Sequence, residues 1–203
     1  MAVRTVPKSS ARERLLDAAN ELFYEEGVQT VGIDRVIEHA GVAKASLYNV
    51  FGSKEGLVCA YLEYRNTRAR ERITRTLARC RTPRERLLGV FDAQHEALSA
   101  PGYRGCPFVR ATAEAPDDSS ISRVAEEHRT WLRGLLTDLA TECGYADPGI
   151  LARQLHYLYD GAAHSARMDH DFSAALTARA AAAALLDAAP LADSAAAGEA
   201  VPS

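Results

Sequence analysis

The chain of 203 residues lacks the features that mark several common classes of protein. No apolar run approaches the roughly 20 residues that span a bilayer, and the first residues contain no apolar segment of signal-peptide length. We therefore expect a cytoplasmic protein. The sequence also has no glycine-rich phosphate loop, Gly-x-Ser-x-Gly elbow or His-Glu-x-x-His motif, so we expect neither an enzyme nor a bound cofactor.

Cysteine and aromatic residues are few. The four cysteines, Cys59, Cys80, Cys106 and Cys143, are widely spaced and include no Cys-x-x-Cys pair, so we expect reduced thiols. Aromatic residues make up 7% of the chain and include a single tryptophan. Over the whole chain, 47% of residues are hydrophobic and 25% are charged, which is the composition of an ordinary globular protein.

The net charge of −3 is unevenly distributed. Residues 1–86 carry a net charge of +5, whereas residues 87–203 carry −8. A basic first part suits a domain that contacts phosphates. Chance clustering is the alternative, because much of the excess lies in residues 65–86.

Apolar residues recur with helical spacing along nearly the whole chain, and no segment alternates as a strand does. The pattern predicts an all-α fold of about nine helices. They cover residues 10–26, 33–40, 44–50, 54 to just before Pro83, 84–99, 107–115, 119–143, 148–168 and 172–189. We expect a three-helix domain at residues 1–56, a helical bundle at residues 57–189 and a disordered tail at residues 190–203.

Residues 31–57, VGIDRVIEHAGVAKASLYNVFGSKEGL, have the layout of a helix-turn-helix. Two short helical patterns meet at Gly41, and an aromatic and lysine-containing segment follows. A recognition helix presents short or polar side chains to base edges while a neighbouring helix braces it. The second pattern predicts such a helix, with Lys44, Ala45, Ser46, Tyr48 and Asn49 outward and Val42, Leu47 and Phe51 inward.

This segment closely resembles the N-terminal domain of the tetracycline-repressor (TetR) family of transcriptional regulators. The matching residues are Ala40, Gly41, Val42, Lys44, Leu47, Tyr48, Phe51, Ser53, Lys54 and Glu55. The resemblance is specific over residues 12–61, and beyond them only the helical layout is similar. It implies a ligand-responsive homodimer, most often a repressor, that a small-molecule effector releases from a palindromic operator in double-stranded DNA.

The resemblance also implies roles for individual residues. Phosphate contacts are expected from Thr30, Tyr48 and Lys54, a phosphate or base contact from Lys44, and base contacts from Ala45, Ser46 and Asn49. Gly32 and Val50 stand where many relatives have a threonine and a histidine that contact the DNA backbone. Affinity is therefore expected to depend more on Lys44, Tyr48 and Lys54 and on the N-terminal Arg4, Lys8 and Arg12.

Two apolar stripes near the C-terminus predict a four-helix dimer interface, because one recognition helix reads only a few base pairs. The predicted interface residues are Leu151, Leu155, Leu158, Ala162, Leu176, Ala180 and Leu186. Burial of these stripes inside the chain's own core is the alternative.

An effector pocket is expected inside the bundle, where aromatic and polar residues recur on several predicted helices. The candidates are Tyr61, Phe91, His95, Phe108, His128, Trp131, His156, Tyr159, Asp160 and His164; Tyr157 is a further aromatic of these helices. His156, Asp160 and His164 follow one another at spacings of four residues. A polar patch of the pocket, a metal site or a solvated row each fits this spacing, and no metal is assigned.

Cys106 lies just before Pro107, the expected first residue of a helix. A thiol at a helix N-terminus near Arg104 has its thiolate favoured. The alternative function is therefore a redox- or electrophile-sensing regulator that is switched through Cys106. A buried structural cysteine is the other interpretation.

Overall fold

A computed structural model describes residues 9–113 and 115–192, and over this part of the chain it contains nine α-helices and no β-sheet. The helices are α1 (Ala11–Glu26), α2 (Ile33–Ala40), α3 (Lys44–Phe51), α4 (Lys54–Leu77), α5 (Pro83–Leu98), α6 (Pro107–Thr112), α7 (Ser120–Glu142), α8 (Pro148–Met168) and α9 (Ala174–Ala188). The predicted all-α fold is confirmed. None of the described helices is both long and apolar enough to cross a membrane.

Local capping determines where several helices begin. The Ser10 hydroxyl accepts a hydrogen bond from the Glu13 amide at 3.2 Å, and the Glu13 carboxylate accepts one from the Ser10 amide at 2.8 Å. Thr82 and Glu85 form the same reciprocal pair at the start of α5. Such caps satisfy amides that have no partner within the helix, and each contributes about 1 kcal/mol.

The described chain divides into two compact units, each with its own core. Unit 1 comprises the described residues of Met1–Arg68 and Cys106–Glu127, and unit 2 comprises those of Ala69–Gly105 and His128–Ser203. The units therefore do not follow the predicted boundary at residue 56. The physical reason is burial: Phe108 on α6 and Ile121 and Val124 on α7 belong to the same core as the N-terminal helices.

The core of unit 1 forms where α1 packs against α2 and α3. Leu15, Leu47 and Leu57 are fully buried there. Phe23 and Tyr61 meet edge to face, with ring centroids 5.8 Å apart. Full burial of a leucine side chain stabilises a fold by about 1.5–3 kcal/mol, so the short α2 and α3 depend on these contacts.

In unit 2, α9 packs against both α5 and α8. The Tyr145 hydroxyl donates a hydrogen bond to the Leu186 carbonyl at 3.0 Å. Residues 190–192 pair with residues 144–146, because the Ala146 amide donates to the Pro190 carbonyl at 2.9 Å and the Ala192 amide donates to the Gly144 carbonyl at 2.8 Å. The predicted tail therefore does not begin at residue 190, and residues 193–203 lie outside the described part.

The turn between α3 and α4 requires two glycines. Gly52 has a φ of +73°, a backbone conformation that favours glycine. Gly56 lies in the first turn of α4, where a Cβ atom would be 2.1 Å from the Phe51 carbonyl oxygen. The Gly56 amide also donates to the Ser53 hydroxyl at 3.0 Å. The last carbonyl of α3 thus packs directly on the backbone of α4.

Gly56→Ala should lower the free energy of unfolding by about 1–3 kcal/mol, because the two backbones must separate to admit the methyl group. Urea denaturation followed by circular dichroism measures this. Gly134→Ala is the matched control: this helical glycine in α7 has open space around it, so alanine should stabilise the protein by up to about 1 kcal/mol. Equal stability of Gly56→Ala and the wild type would contradict the close approach.

Candidate nucleic-acid interface and effector site

Helix α3 presents one polar face and buries one apolar residue. Lys44, Ala45, Tyr48 and Asn49 are exposed, whereas Leu47 is completely buried in the core of unit 1. Val42 and Phe51 are half-buried and pack on the same core, and Ser46 is half-buried. Four of the five residues predicted to face outward are therefore exposed, and Ser46 is the exception. An asparagine on such a face has the donor and acceptor needed to pair with adenine in the major groove.

Helix α1 holds the helix-turn-helix together through polar contacts. The Arg14 guanidinium donates to the Gly41 carbonyl at 3.2 Å, at the turn between α2 and α3. Glu21 contacts His39 at 3.0 Å, so α1 also holds the end of α2. Gly32 begins α2 without a side-chain cap, as expected where many relatives have threonine. The position of α2 therefore depends on α1 rather than on its own cap.

The other predicted DNA contacts surround α3. Thr30 is exposed before α2, and Lys54 is half-buried at the start of α4. Lys44 is paired with the exposed Asp34, with Nζ and Oδ1 2.9 Å apart. The Arg12 guanidinium lies 5.8 Å from the centre of the Phe51 ring. The predicted contacts at Arg4 and Lys8 lie outside the described residues.

The ten effector candidates are not brought together at one place. Tyr61 and Phe108 belong to the core of unit 1, whereas Phe91 belongs to that of unit 2. His95 is half-buried, with Nδ1 3.2 Å from the Phe172 carbonyl oxygen. Tyr157 is 64% exposed and does not face the interior.

Four of the candidates do lie together in unit 2, and we call them, with Arg70 and Arg129, the histidine cluster. His128 and Trp131 on α7 have ring centroids 6.2 Å apart, and the Arg70 guanidinium lies 4.7 Å from the Trp131 ring centre. On α8, His156 Nε2 is 3.6 Å from Asp160 Oδ1, and Asp160 Oδ2 is 2.9 Å from Arg129. Burial lowers the pKa of His128 to about 4, with the positive charge of Arg70 acting in the same direction.

His164 does not join this cluster, contrary to the prediction from spacing. His156 is buried and Asp160 half-buried, but His164 is exposed. Successive residues of an α-helix are about 100° apart, so eight residues rotate a side chain about 80° away from the starting direction. Across the described residues, no three His, Cys, Asp or Glu side chains are arranged to hold a metal ion.

Four of the seven residues predicted to form the dimer interface are instead buried within the chain's own core. Leu151, Leu155 and Ala162 on α8 and Leu186 on α9 are all buried in the core of unit 2, where they contact other helices of the same chain. Leu158 is half-buried. Leu176 and Ala180 on α9 are exposed. Apolar spacing shows that a helix has a buried face, but not whether that face meets its own chain or another.

A different side of α8 is exposed and carries several apolar residues. Ile150, Tyr157 and Met168 are 54%, 64% and 64% exposed, and the exposed Gly161 lies between the last two. These residues recur at helical spacing on one face.

Cys106 is the residue before the first turn of α6, as predicted, and it is half-buried against the core of unit 1. Among the described residues it is not in a disulfide. On the same short helix, the Arg110 guanidinium donates to the Tyr24 carbonyl at 2.5 Å.

Sequence reasoning missed three of these features. The contact of Arg14 with Gly41 was missed because α1 contains several charged residues and no pattern distinguishes Arg14 from the others. The pairing of Lys44 with Asp34, ten positions earlier, was also missed. Gln94 on α5 is 2% exposed, and its Nε2 donates to the Tyr159 carbonyl at 2.6 Å. A polar residue at the helical spacing of the apolar Leu87, Phe91 and Leu98 was the available signal for Gln94.

The folded arrangement defines a helix-turn-helix DNA-binding protein. Residues 15–61 match the family described as bacterial regulatory proteins, tetR family. The structure is similar to that of SCO4454, a TetR-family transcriptional regulator from Streptomyces coelicolor, with a TM-score of 0.82 and 31% identity over 87% of this chain and 94% of that one. The chain belongs to the TetR family of transcriptional regulators, whose members are not enzymes.

The similarity to other relatives covers different shares of the chain. The Escherichia coli transcriptional repressor NemR is 28% identical over 180 residues, which are 79% of this chain and 86% of NemR. Its reduced form has a structure with a TM-score of 0.73 and 25% identity, over 87% of this chain and 97% of NemR. The match to the Mycobacterium tuberculosis regulator Rv0196, at 28% identity, covers 56% of this chain and 58% of that protein. The chain thus spans about three fifths of that relative's length.

Lys44→Ala should weaken binding to random-sequence duplex DNA and lower the slope of log affinity against log salt by about 0.9 for each chain bound, because one phosphate contact is lost. Asp34→Asn should have the opposite effect, since it releases Lys44 and removes a negative charge. Fluorescence anisotropy over a salt series measures both. Arg79→Ala, at an exposed position after α4, is the control and should change nothing; an unchanged slope for Lys44→Ala would refute the contact.

The depressed pKa of His128 makes stability depend on pH. The unfolded imidazole takes up a proton below about pH 6.5, but the folded one does so only near pH 4. The unfolded state thus binds more protons in this window, and stability falls as pH falls. From about pH 7.5 to about pH 5 the loss from His128 should be about 2 kcal/mol.

Urea unfolding of His128→Gln at the two pH values should show a pH dependence smaller by that amount. His164→Gln, on the exposed side of α8, should retain the wild-type dependence. Identical pH profiles for wild type and His128→Gln would rule out a neutral buried imidazole at this position.

Proposed function

We propose that this chain is a ligand-responsive homodimeric repressor that acts in the cytoplasm and binds a palindromic operator. The observation that carries the proposal is the face of α3: four exposed residues suited to DNA beside a leucine that is fully buried. A helix fixed by its buried side and polar on its outer side meets the requirement of a recognition helix. Family membership supports the same function.

We assign the dimer interface to the exposed face of α8 and the adjoining face of α9. On α8 the proposed interface residues are Ile150, Tyr157, Gly161 and Met168. On α9 they are Leu176, which is 44% exposed, and Ala180. Large apolar side chains beside small residues allow two helices to pack closely. This assignment replaces Leu151, Leu155, Ala162 and Leu186, which are already buried within the chain.

The proposed release from DNA requires a change in the separation of the two recognition helices. Two recognition helices must lie about 34–36 Å apart to enter successive major grooves. Helix α4 has residues in both units, so it is the element through which an effector in unit 2 would act on DNA binding. A coupling free energy of about 1–3 kcal/mol is enough for a 5- to 150-fold change in affinity.

Selection of bound DNA from a random pool tests the function, and it should enrich a palindrome. Gly161→Glu should convert the dimer to a monomer by sedimentation equilibrium and reduce palindrome affinity by about 100-fold, since a charge would enter the interface. Gly134→Glu is the control, because Gly134 is likewise helical, exposed and open. The absence of any enriched sequence would refute the regulator, and a dimeric Gly161→Glu would refute the interface.

A second candidate is a regulator switched by oxidation or alkylation of Cys106. The half-buried thiol at the start of α6 supports it, as does the similarity to NemR, for which a reduced form has been described. Cys106→Ser separates the candidates in an operator-release assay. A thiol sensor loses its response to oxidants and electrophiles, whereas a ligand-controlled repressor is still released by its effector.

A further inference from the structure

The histidine cluster runs from the surface of unit 2 to its interior. The side chains of Arg129 and Asp160 are each 41% exposed. His128 and His156 are 8% and 2% exposed. Buried polar side chains make a fold less stable than well-packed apolar side chains would. A row of polar side chains from the surface to two buried imidazoles therefore suggests a role in binding a ligand.

His156 is 2% exposed. Its Nε2 lies 3.6 Å from Asp160 Oδ1, which exceeds a hydrogen-bond distance. A neutral imidazole has one N–H donor and one acceptor nitrogen, so this ring can donate a hydrogen bond to a ligand.

The charges around the two imidazoles are mostly positive. Arg70 and Arg129 act on His128, and Arg129 and Arg133 act on His156, whereas Asp160 is the one acidic group that acts on both. Burial is the largest cause that lowers the pKa of both histidines, and the arginines act in the same direction while Asp160 acts against them. A positive field that disfavours an imidazolium stabilises a bound anion.

A buried polar atom without a hydrogen-bond partner belongs to Gln94 on α5, which is bonded to α8 about one turn beyond His156. The Gln94 amide donates to the Tyr159 carbonyl, but its Oε1 is buried and has no hydrogen-bond partner. The apolar surroundings include Phe91, whose ring is 6.2 Å from that of Tyr159. An amide oxygen only accepts hydrogen bonds, so a ligand group that pairs with Gln94 Oε1 must be a donor such as a hydroxyl.

We propose that the histidine cluster is the effector site and that it binds a small aromatic carboxylate bearing a hydroxyl group. The carboxylate accepts hydrogen bonds from the imidazole of His156 and lies in the field of Arg70 and Arg129. The ring packs against Trp131, and the hydroxyl donates to Gln94 Oε1. The inference rests on the proposed ligand-responsive function.

Trp131 is the single tryptophan of the chain and reports on the site directly. The full-length protein is titrated with 4-hydroxybenzoate, 4-hydroxyphenylacetate and 4-hydroxycinnamate, and with the methyl ester of each. Fluorescence and calorimetry should show binding of at least one acid with a Kd below about 1 mM and at least about tenfold weaker binding of its ester. Absence of binding by all three acids, or equal binding of acid and ester, overturns the proposal.

Two variants locate the site. His156→Leu should weaken binding of the acid by about tenfold or more, with thermal unfolding confirming that it folds, whereas His164→Gln should bind like the wild type. Gln94→Leu should remove the preference for 4-hydroxybenzoate over benzoate while retaining the preference for acid over ester. Wild-type binding by both His156→Leu and Gln94→Leu overturns the assignment.

Operator binding without ligand separates this inference from the proposed function. If the protein binds a palindrome but no acid, the ligand class is wrong and the DNA-binding function stands. If the acid binds at Trp131 but no operator is enriched, the site is correct and the regulator is wrong.

Discussion

The contact between the end of α3 and the start of α4 is the constraint on which the DNA-reading surface depends. The Phe51 carbonyl packs against Gly56 so closely that a Cβ has no room, and Ser53 accepts the Gly56 amide in the same turn. Because this is a contact between backbones, it fixes the direction of α3 more firmly than side-chain packing alone. Leu47 then fixes its rotation, since the leucine is fully buried. The exposed residues face solvent as a consequence.

Helix α7 has residues in both functional regions. Its first amide, that of Ser120, donates to the Glu55 carboxylate at 3.2 Å, and Glu55 follows Lys54 in the first turn of α4. Further along, α7 carries His128 and Trp131 of the histidine cluster. A helix bonded beside the predicted DNA-reading residues at one end and carrying part of the proposed effector site in its middle has the connections that a switch requires. We infer that α7 contributes to the response together with α4.

Much of the N-terminal unit is predictable from the sequence because its determinants are local. Glycine at the turns, caps such as Ser53, and the position of Leu47 are all set within a few residues. The dimer stripe was predicted wrongly because Leu155 and Leu186 have the apolar spacing of any buried face. The pairing of Gln94 with Tyr159 joins residues 65 positions apart, and no local pattern predicts such a contact. His164 was misplaced for a simpler reason, since four-residue spacing drifts around a helix with each turn.

In the proposed dimer, two copies of α3 enter successive major grooves. Hydroxyl-radical footprinting of the wild-type protein on its selected operator measures this arrangement. Two equivalent protected half-sites should lie about 10–10.5 base pairs apart, with protection of both lost together in Gly161→Glu. A single protected half-site, occupied by one chain with full affinity, would rule out the dimeric arrangement.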